Sequence, residues 1–272
     1  MMNEKVQRAE ITTKPALYRL AGMEEVRVVP DIVYRSNDSG MLTMDVYYPP
    51  NSLPAGARPA VILVVGYSDV AAEAKVGCKF KEMESLISWA RLIAASGMAA
   101  ITYANGEAEP DFHFLFQHVR QNGPALGIDA ERIGLWATSG NSPLALSALL
   151  KNSELDVKCA AFLYPFLLDL DGTTVVAEAS KVYKFVNRCA GKLIDDLSLS
   201  IPLLIARAGQ DEFPHLNQTI DRFIARALLR NLPVTLLNHA GGPHAFDLLQ
   251  ESEATRATIR QVLEFLGSYL AP

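Results

Sequence analysis

Cysteine is scarce in this chain. Cys78, Cys159 and Cys189 are too few and too scattered for a disulfide framework. Cys159 lies in an apolar run and is expected as a buried core thiol. Long apolar runs are missing as well, and the longest, near residues 161–168, is far too short to span a bilayer. The opening Met1-Met2-Asn3-Glu4-Lys5 lacks the apolar core of a secretory leader. Like charges form no block, and a net charge of −5 gives no case for nucleic acid or an anionic membrane as partner. Neither common glycine-rich phosphate loop is present, which argues against a nucleotide-dependent kinase or dehydrogenase. Internal repeats and low-complexity tracts are absent too. A reduced, soluble, cytoplasmic protein is expected.

What remains is the composition of an ordinary globular protein: 272 residues, 50% hydrophobic and 20% charged. That length suits one large α/β domain spanning residues 1–272, with a substantial core. Residues 26–35 and 41–48 read as strands joined by the turn-rich Ser36-Asn37-Asp38-Ser39-Gly40, an antiparallel hairpin at a sheet edge. A short helix near 15–21 is expected before it. After a loop at 49–59, apolar runs at 60–65, 98–103, 133–137, 159–164, 203–208 and 234–238 alternate with helical stretches. The runs are nearly continuous in hydrophobicity, as in strands covered on both faces. Helices are expected at about 80–95, 112–126, 142–150, 215–229 and 253–270, the last with Ile259, Val262, Leu263, Leu266, Tyr269 and Leu270 on one stripe. This alternation implies an eight-stranded, mostly parallel sheet with helices on both faces. The stretch between Tyr164 and Ile201 breaks the pattern. It has no strand signal and a helical piece near 175–197, so a small helical insertion at about 165–200 is expected. It leaves the sheet at the edge where open α/β folds bind ligands, and a lid over that edge is the expectation.

The most informative stretch is Ile133-Gly134-Leu135-Trp136-Ala137-Thr138-Ser139-Gly140-Asn141-Ser142-Pro143. A short apolar strand runs into a serine flanked by small residues, and a helical pattern follows at once. A serine on such a turn is pushed out of the sheet at a helix N-terminus, where free N–H groups favour developing negative charge. A serine hydroxyl is a poor nucleophile without an adjacent base. No histidine lies near Ser139 in sequence, so the base must come from another loop. The last strand is followed by Asn238-His239-Ala240-Gly241-Gly242-Pro243-His244-Ala245-Phe246-Asp247, with His244 just before the final helix. The strand at 203–208 ends in Gly209-Gln210-Asp211, which places Asp211 beyond a strand end on the same edge as Ser139. There it can orient an imidazole and hold its tautomer. The chain order Ser139, Asp211, His244 is that of the α/β-hydrolases.

With these residues the chain resembles an α/β-hydrolase of the dienelactone hydrolase or small carboxylesterase type. The resemblance covers about residues 24–270. It includes Leu42-Thr43-Met44-Asp45-Val46-Tyr47-Tyr48-Pro49-Pro50, similar to an early strand of esterases. It also includes the strand at 59–67 that leads to the oxyanion loop, and Arg132-Ile133-Gly134-Leu135-Trp136 before the elbow. It implies a serine hydrolase acting on small carboxylic esters through an acyl-enzyme, with no metal or organic cofactor. It further implies an oxyanion hole of two backbone N–H groups, those of Gly140 and of Tyr67, with Ser68 as the alternative to Tyr67. The chain departs from the family at three places. The usual Gly-x-Ser-x-Gly elbow is Ala137-Thr138-Ser139-Gly140-Asn141, with side chains at both outer positions, and the usual His-Gly of the oxyanion loop is Val65-Gly66. Asn141 is expected either to crowd the turn or to point into the pocket. Pro143 fits the first helical turn, where its missing N–H matters little.

Each candidate has a rival. Ser139 has the reading of a helix cap. His239 competes with His244, and its place at a strand end favours an ordinary structural role. Glu212, Asp169 and Asp171 compete with Asp211. His113 and His118 are five apart on a helix and do not share a face, so they make poor metal ligands. His215 reads as a helix start. Phe112, Phe114 and Phe116 are candidates for an acyl pocket or for core packing, the commoner fate, and Tyr183 and Phe185 in the insertion are better placed to face substrate. The same machinery serves a serine peptidase or a thioesterase. A catalytically silent binding protein of this fold is the reading from another class.

Overall fold

Short strands that are apolar on both faces need cover on both sides, and the chain folds accordingly. A computed structural model describes residues 9–37, 40–50 and 57–271. Eight strands form one sheet in the order β1-β2-β4-β3-β5-β6-β7-β8. They are β1 (Arg27–Asn37), β2 (Gly40–Tyr48), β3 (Arg58–Leu63), β4 (Ala99–Tyr103), β5 (Ile128–Thr138), β6 (Cys159–Leu163), β7 (Leu203–Ala208) and β8 (Val234–His239). The hairpin β1–β2 is antiparallel and lies at one edge, as expected, and β2 joins β4 antiparallel. All further pairings are parallel. Residues 38 and 39 of the hairpin turn, residues 51–56 of the expected loop and the opening residues 1–8 lie outside the described residues.

The helices are α1 (Asp69–Val76), α2 (Glu84–Ala95), α3 (Ala108–Leu126), α4 (Ser142–Ser147), α5 (Val175–Tyr183), α6 (Leu216–Leu229), α7 (Phe246–Leu249) and α8 (Glu253–Leu270). Every residue of β4 and β6 is buried, so both faces of the sheet centre are covered. Burial of Trp89, Trp136, Phe112, Phe116, Phe162 and Phe223 supplies much of the apolar core. All three cysteines are free and buried, and burial pushes the Cys159 thiol up to about 12. Among the described residues no helix is long and apolar enough to cross a membrane.

Several expectations need correction. No helix forms at 15–21, because its N–H groups are used elsewhere. Ala16 donates to Ser88 Oγ at 2.8 Å and Leu17 to the Asp247 carbonyl at 2.7 Å, so the segment is laid along α2 and α7. The helix expected at 80–95 begins with a separate 3-10 turn, Phe80–Glu82, because Phe80 N–H donates to Asp69 Oδ1 at 2.7 Å. Helix α1 was not foreseen, since its run of alanine, glutamate and lysine carries no apolar stripe. Helix α3 starts earlier than the expected 112, because Pro110 sits in the first turn, where no intrahelical N–H is needed. Helix α4 stops short of 150, and Leu150 bridges Leu197 in the insertion instead. The helix expected near 175–197 ends at Tyr183, where Lys184 turns left-handed with φ 66°. Finally, β8 is an edge strand with Thr235, Leu236 and Asn238 exposed, so two-sided cover does not extend to it.

Candidate active site

The parallel order of β5, β6, β7 and β8 brings their C-terminal ends to one edge of the sheet. Ser139 follows β5 directly, Asp211 follows β7, and His244 follows β8. The three meet there. His244 Nε2 lies 2.9 Å from Ser139 Oγ, and His244 Nδ1 lies 2.7 Å from Asp211 Oδ2. A carboxylate only accepts, so it assigns the proton to Nδ1 and leaves Nε2 free to accept from the serine hydroxyl. The Asp211 side chain is 0% exposed and that of His244 18%, so the pair is shielded while the imidazole still reaches the surface. Asp211 Oδ1 also accepts the Phe213 N–H at 2.9 Å, which fixes the carboxylate plane.

The elbow is strained. Ser139 has φ 50°, a left-handed conformation unusual for a residue with a side chain. Such strain costs roughly 1–3 kcal/mol and persists only where the surroundings over-determine it. Here β5 enters the turn in parallel register with β3 and β6, and Pro143 opens α4 on the far side. The Asp211 and His244 loops are tied together: Gly209 N–H donates to the His239 carbonyl and Gln210 N–H to the Gly242 carbonyl, both at 2.8 Å. Gly209 is required at this crossing, since a Cβ there would run into the Ala240 backbone.

The altered elbow residue has a definite task. Asn141 is buried, and its Oδ1 accepts the Gly66 N–H at 2.8 Å. The side chain therefore does not crowd the turn; it fastens the loop after β3 to the Ser139 turn. Gly66 allows this approach, because a Cβ there would lie 2.8 Å from the Gly140 carbonyl oxygen. With the Gly66 N–H engaged, Tyr67 supplies the next N–H of the loop, and it has no acceptor among the described residues. The Tyr67 hydroxyl occupies the place a Cβ on Gly140 would take, with Phe185 beside it. The Tyr67 ring stacks on Phe80 at 5.5 Å and meets Phe185 edge-on at 6.0 Å. Burial pushes its phenol up to about 12. Beneath the loop, Asp69 accepts from Phe80 N–H at 2.7 Å and Asn105 N–H at 2.8 Å, and burial lifts its carboxyl to about 6.

Of the rivals, His239, Asp169 and Asp171 are engaged elsewhere, and Glu212 is exposed. His239 is buried, with Nε2 3.0 Å from Thr255 Oγ1 and its ring against Phe246, and burial lowers its pKa. Asp169 accepts the N–H groups of Val176 and Ala177 at the start of α5, and Asp171 pairs with Arg226. His215 precedes α6, as expected of a helix start. Phe112 and Phe116 are core residues, and Phe114 lies under the Arg35 guanidinium. From the insertion, Phe185 reaches the elbow, Tyr183 packs on Phe213, Val186 N–H donates to the Gly66 carbonyl at 2.8 Å, and Cys189 Sγ reaches the Pro143 carbonyl at 3.3 Å. Sequence reasoning missed the Asn141 fastening and the buried Asp247, whose only signal was an acid inside the apolar run after His244.

Sheet order, strained serine turn and three loop-end residues are the architecture of an α/β-hydrolase. No protein-family model matches the chain, and no curated protein matches it by sequence. Solved structures do match in fold. The thermophilic esterase Est2 of the planctomycete Thermogutta terrifontis is 19% identical, with TM-score 0.68 over 92% of this chain and 95% of that one. Esterase LipW of Mycobacterium marinum is 16% identical, with TM-score 0.66 over 91% and 83%. A bacterial heroin esterase is 15% identical, with TM-score 0.66 over 94% and 88%. At these identities the likeness establishes the α/β-hydrolase fold.

Proposed function

We propose that the protein is a serine hydrolase that cleaves small carboxylic esters. The observation that carries this reading is the continuous hydrogen-bonded relay from Ser139 through His244 to Asp211, with spacings of 2.9 and 2.7 Å. In this reading His244 Nε2 takes the Ser139 proton as Oγ attacks the ester carbonyl. Asp211 holds the Nδ1 proton and stabilises the imidazolium that forms. The N–H groups of Gly140 and Tyr67 receive the oxyanion of the tetrahedral intermediate. His244 then protonates the leaving alcohol, and water attacks the acyl-enzyme by the same route in reverse.

Two further observations support a small ester. Tyr67 and Phe185 fill the space over Gly140, which limits the acyl group that can sit against the elbow. The neighbours in fold are esterases, and Thermogutta Est2 has been solved with propionate and with butyrate bound. The segment between Tyr164 and Ile201 acts as a lid in this account. It is anchored on the oxyanion loop through Val186, on the elbow helix through Cys189 and on α3 through the 2.6 Å Arg188–Glu109 pair. Turnover of p-nitrophenyl acetate by the wild type and its loss in a folded Ser139→Ala variant test the reading. Undiminished turnover in that variant would remove Ser139 as nucleophile.

A further inference from the structure

Asp247 is a buried carboxylate that the relay above does not use. It lies three positions beyond His244, at the start of α7, and is 1% exposed. Its Oδ1 accepts the Tyr164 hydroxyl and its Oδ2 the Trp89 indole N–H, each at 2.7 Å. Its carbonyl takes the Leu17 N–H at 2.7 Å. One residue therefore gathers the N-terminal segment, α2, the end of β6 and the histidine loop. Burial pushes the Asp247 carboxyl up, while the bonds from Trp89 and Tyr164 pull it back. Burial, with Asp247 alongside, holds the Tyr164 phenol well above its ordinary range, so it keeps its proton and donates.

Tyr164 connects this carboxylate to the base. It follows β6 with φ 38°, a left-handed conformation costly for a bulky residue. Its ring centroid lies 4.6 Å from that of His244, and the Phe213 ring lies 4.5 Å from the imidazole. Asp211 and Ser139 hold the two nitrogens of the imidazole by hydrogen bonds, but hydrogen bonds to two edges leave the ring free to tilt about the line between them. Aromatic contacts close that freedom, and the Tyr164 ring is itself held by the Asp247 bond at its hydroxyl and by Phe246, which it meets edge-on at 5.5 Å.

We propose, on the reading of His244 as the catalytic base, that Asp247 and Tyr164 form a positioning pair for it: Asp247 fixes the Tyr164 phenol, and the Tyr164 ring fixes the plane of the imidazole. Neither residue transfers a proton. The pair acts on a transfer step that tolerates little misplacement, since errors near 1 Å cost on the order of 100-fold in rate.

Tyr164→Phe keeps the ring and removes the phenol. Asp247→Asn keeps the volume and turns an amide N–H toward one of the two donors. On p-nitrophenyl acetate each variant is expected to lower kcat about tenfold with KM within roughly twofold, because ground-state binding is untouched. The rate of Ser139 labelling by a fluorophosphonate falls by a similar factor. The double variant falls no further than the slower single one, because the two residues act as a unit. Folded single variants with kcat within roughly twofold of wild type, whatever their Tm, overturn the proposal, as does a double variant whose losses multiply. If Asp247→Asn fails to fold, Tyr164→Phe alone decides. Ser139→Ala measured alongside separates the two readings. Full turnover there removes the triad itself, whereas an inactive Ser139→Ala with fully active Tyr164→Phe removes only the pair.

Discussion

Asn141→Ala tests how the loop carrying Tyr67, the proposed oxyanion donor, is held. In the native protein Asn141 Oδ1 accepts the Gly66 N–H at 2.8 Å inside the fold. Alanine removes the acceptor and leaves a buried N–H without a partner, which costs about 1–3 kcal/mol. For a chain of this size each kcal/mol lowers Tm by about 2–4 °C, so a drop of several degrees is expected. The kinetic effect follows from the next residue. Tyr67 N–H is placed by the same loop, and complete loss of an oxyanion donor costs about 100- to 1000-fold. A loosened donor costs part of that, so kcat should fall about tenfold, equivalent to about 1.4 kcal/mol of transition-state stabilisation, with KM little changed. Asn141→Asp keeps the acceptor and adds a charge. The carboxylate can still accept from Gly66, but its charge is buried next to the loop that carries the proposed oxyanion donor Tyr67, so kcat and Tm should both fall. Steady-state kinetics on p-nitrophenyl acetate and a thermal melt measure both. An Asn141→Ala protein with unchanged Tm and kcat within roughly twofold of wild type would refute the fastening role.

Other consequences follow from the same geometry. His244→Ala should lose most activity and His239→Ala little, measured as kcat/KM on the same ester; the reverse would move the base to His239. Phe185→Ala opens the space over Gly140 and should raise activity on butyrate and longer esters relative to acetate; an unchanged chain-length preference, there and in a folded variant trimmed at 175–192, would sink the lid. His239 has a lowered pKa in the fold, so the unfolded chain binds the proton more readily and stability falls as pH drops below the ordinary histidine range near 6.5. Urea unfolding at pH 7 and pH 5 should therefore show His239→Gln gaining on the wild type as pH falls, and a constant difference would contradict the assignment.

The strands were legible because β3, β4, β6, β7 and the second half of β5 lie in the sheet centre and read as short apolar runs, whereas the polar first half of β5, from Ile128 to Arg132, gave no such signal and lay outside the expected 133–137. Their alternation with amphipathic helices then dictated a parallel sheet, and parallel strands carry their C-terminal loops to one edge. The approach of Ser139, Asp211 and His244 to one edge was for that reason foreseeable, although chain order alone did not separate Asp211 from Asp169 or His244 from His239. Features that depend on tertiary partners were not legible. The 15–21 segment has helical residues, but Ser88 and Asp247 take its N–H groups. Asn141 looked like a defect in the elbow, and only the approach of Gly66 from another strand reveals it as a tie. Asp247 finds its donors on α2 and after β6, at sequence separations of 158 and 83, which no local pattern can reveal.

The most direct test of the central claim is covalent labelling of the purified protein with a fluorophosphonate, followed by peptide mapping by mass spectrometry. A serine activated by the His244 and Asp211 relay reacts with one equivalent of reagent, and the adduct maps to Ser139. Labelling should be lost in Ser139→Ala and strongly slowed in His244→Ala. An intact wild-type protein that takes no label, or one that carries it on another serine with Ser139 unmodified, would contradict the account.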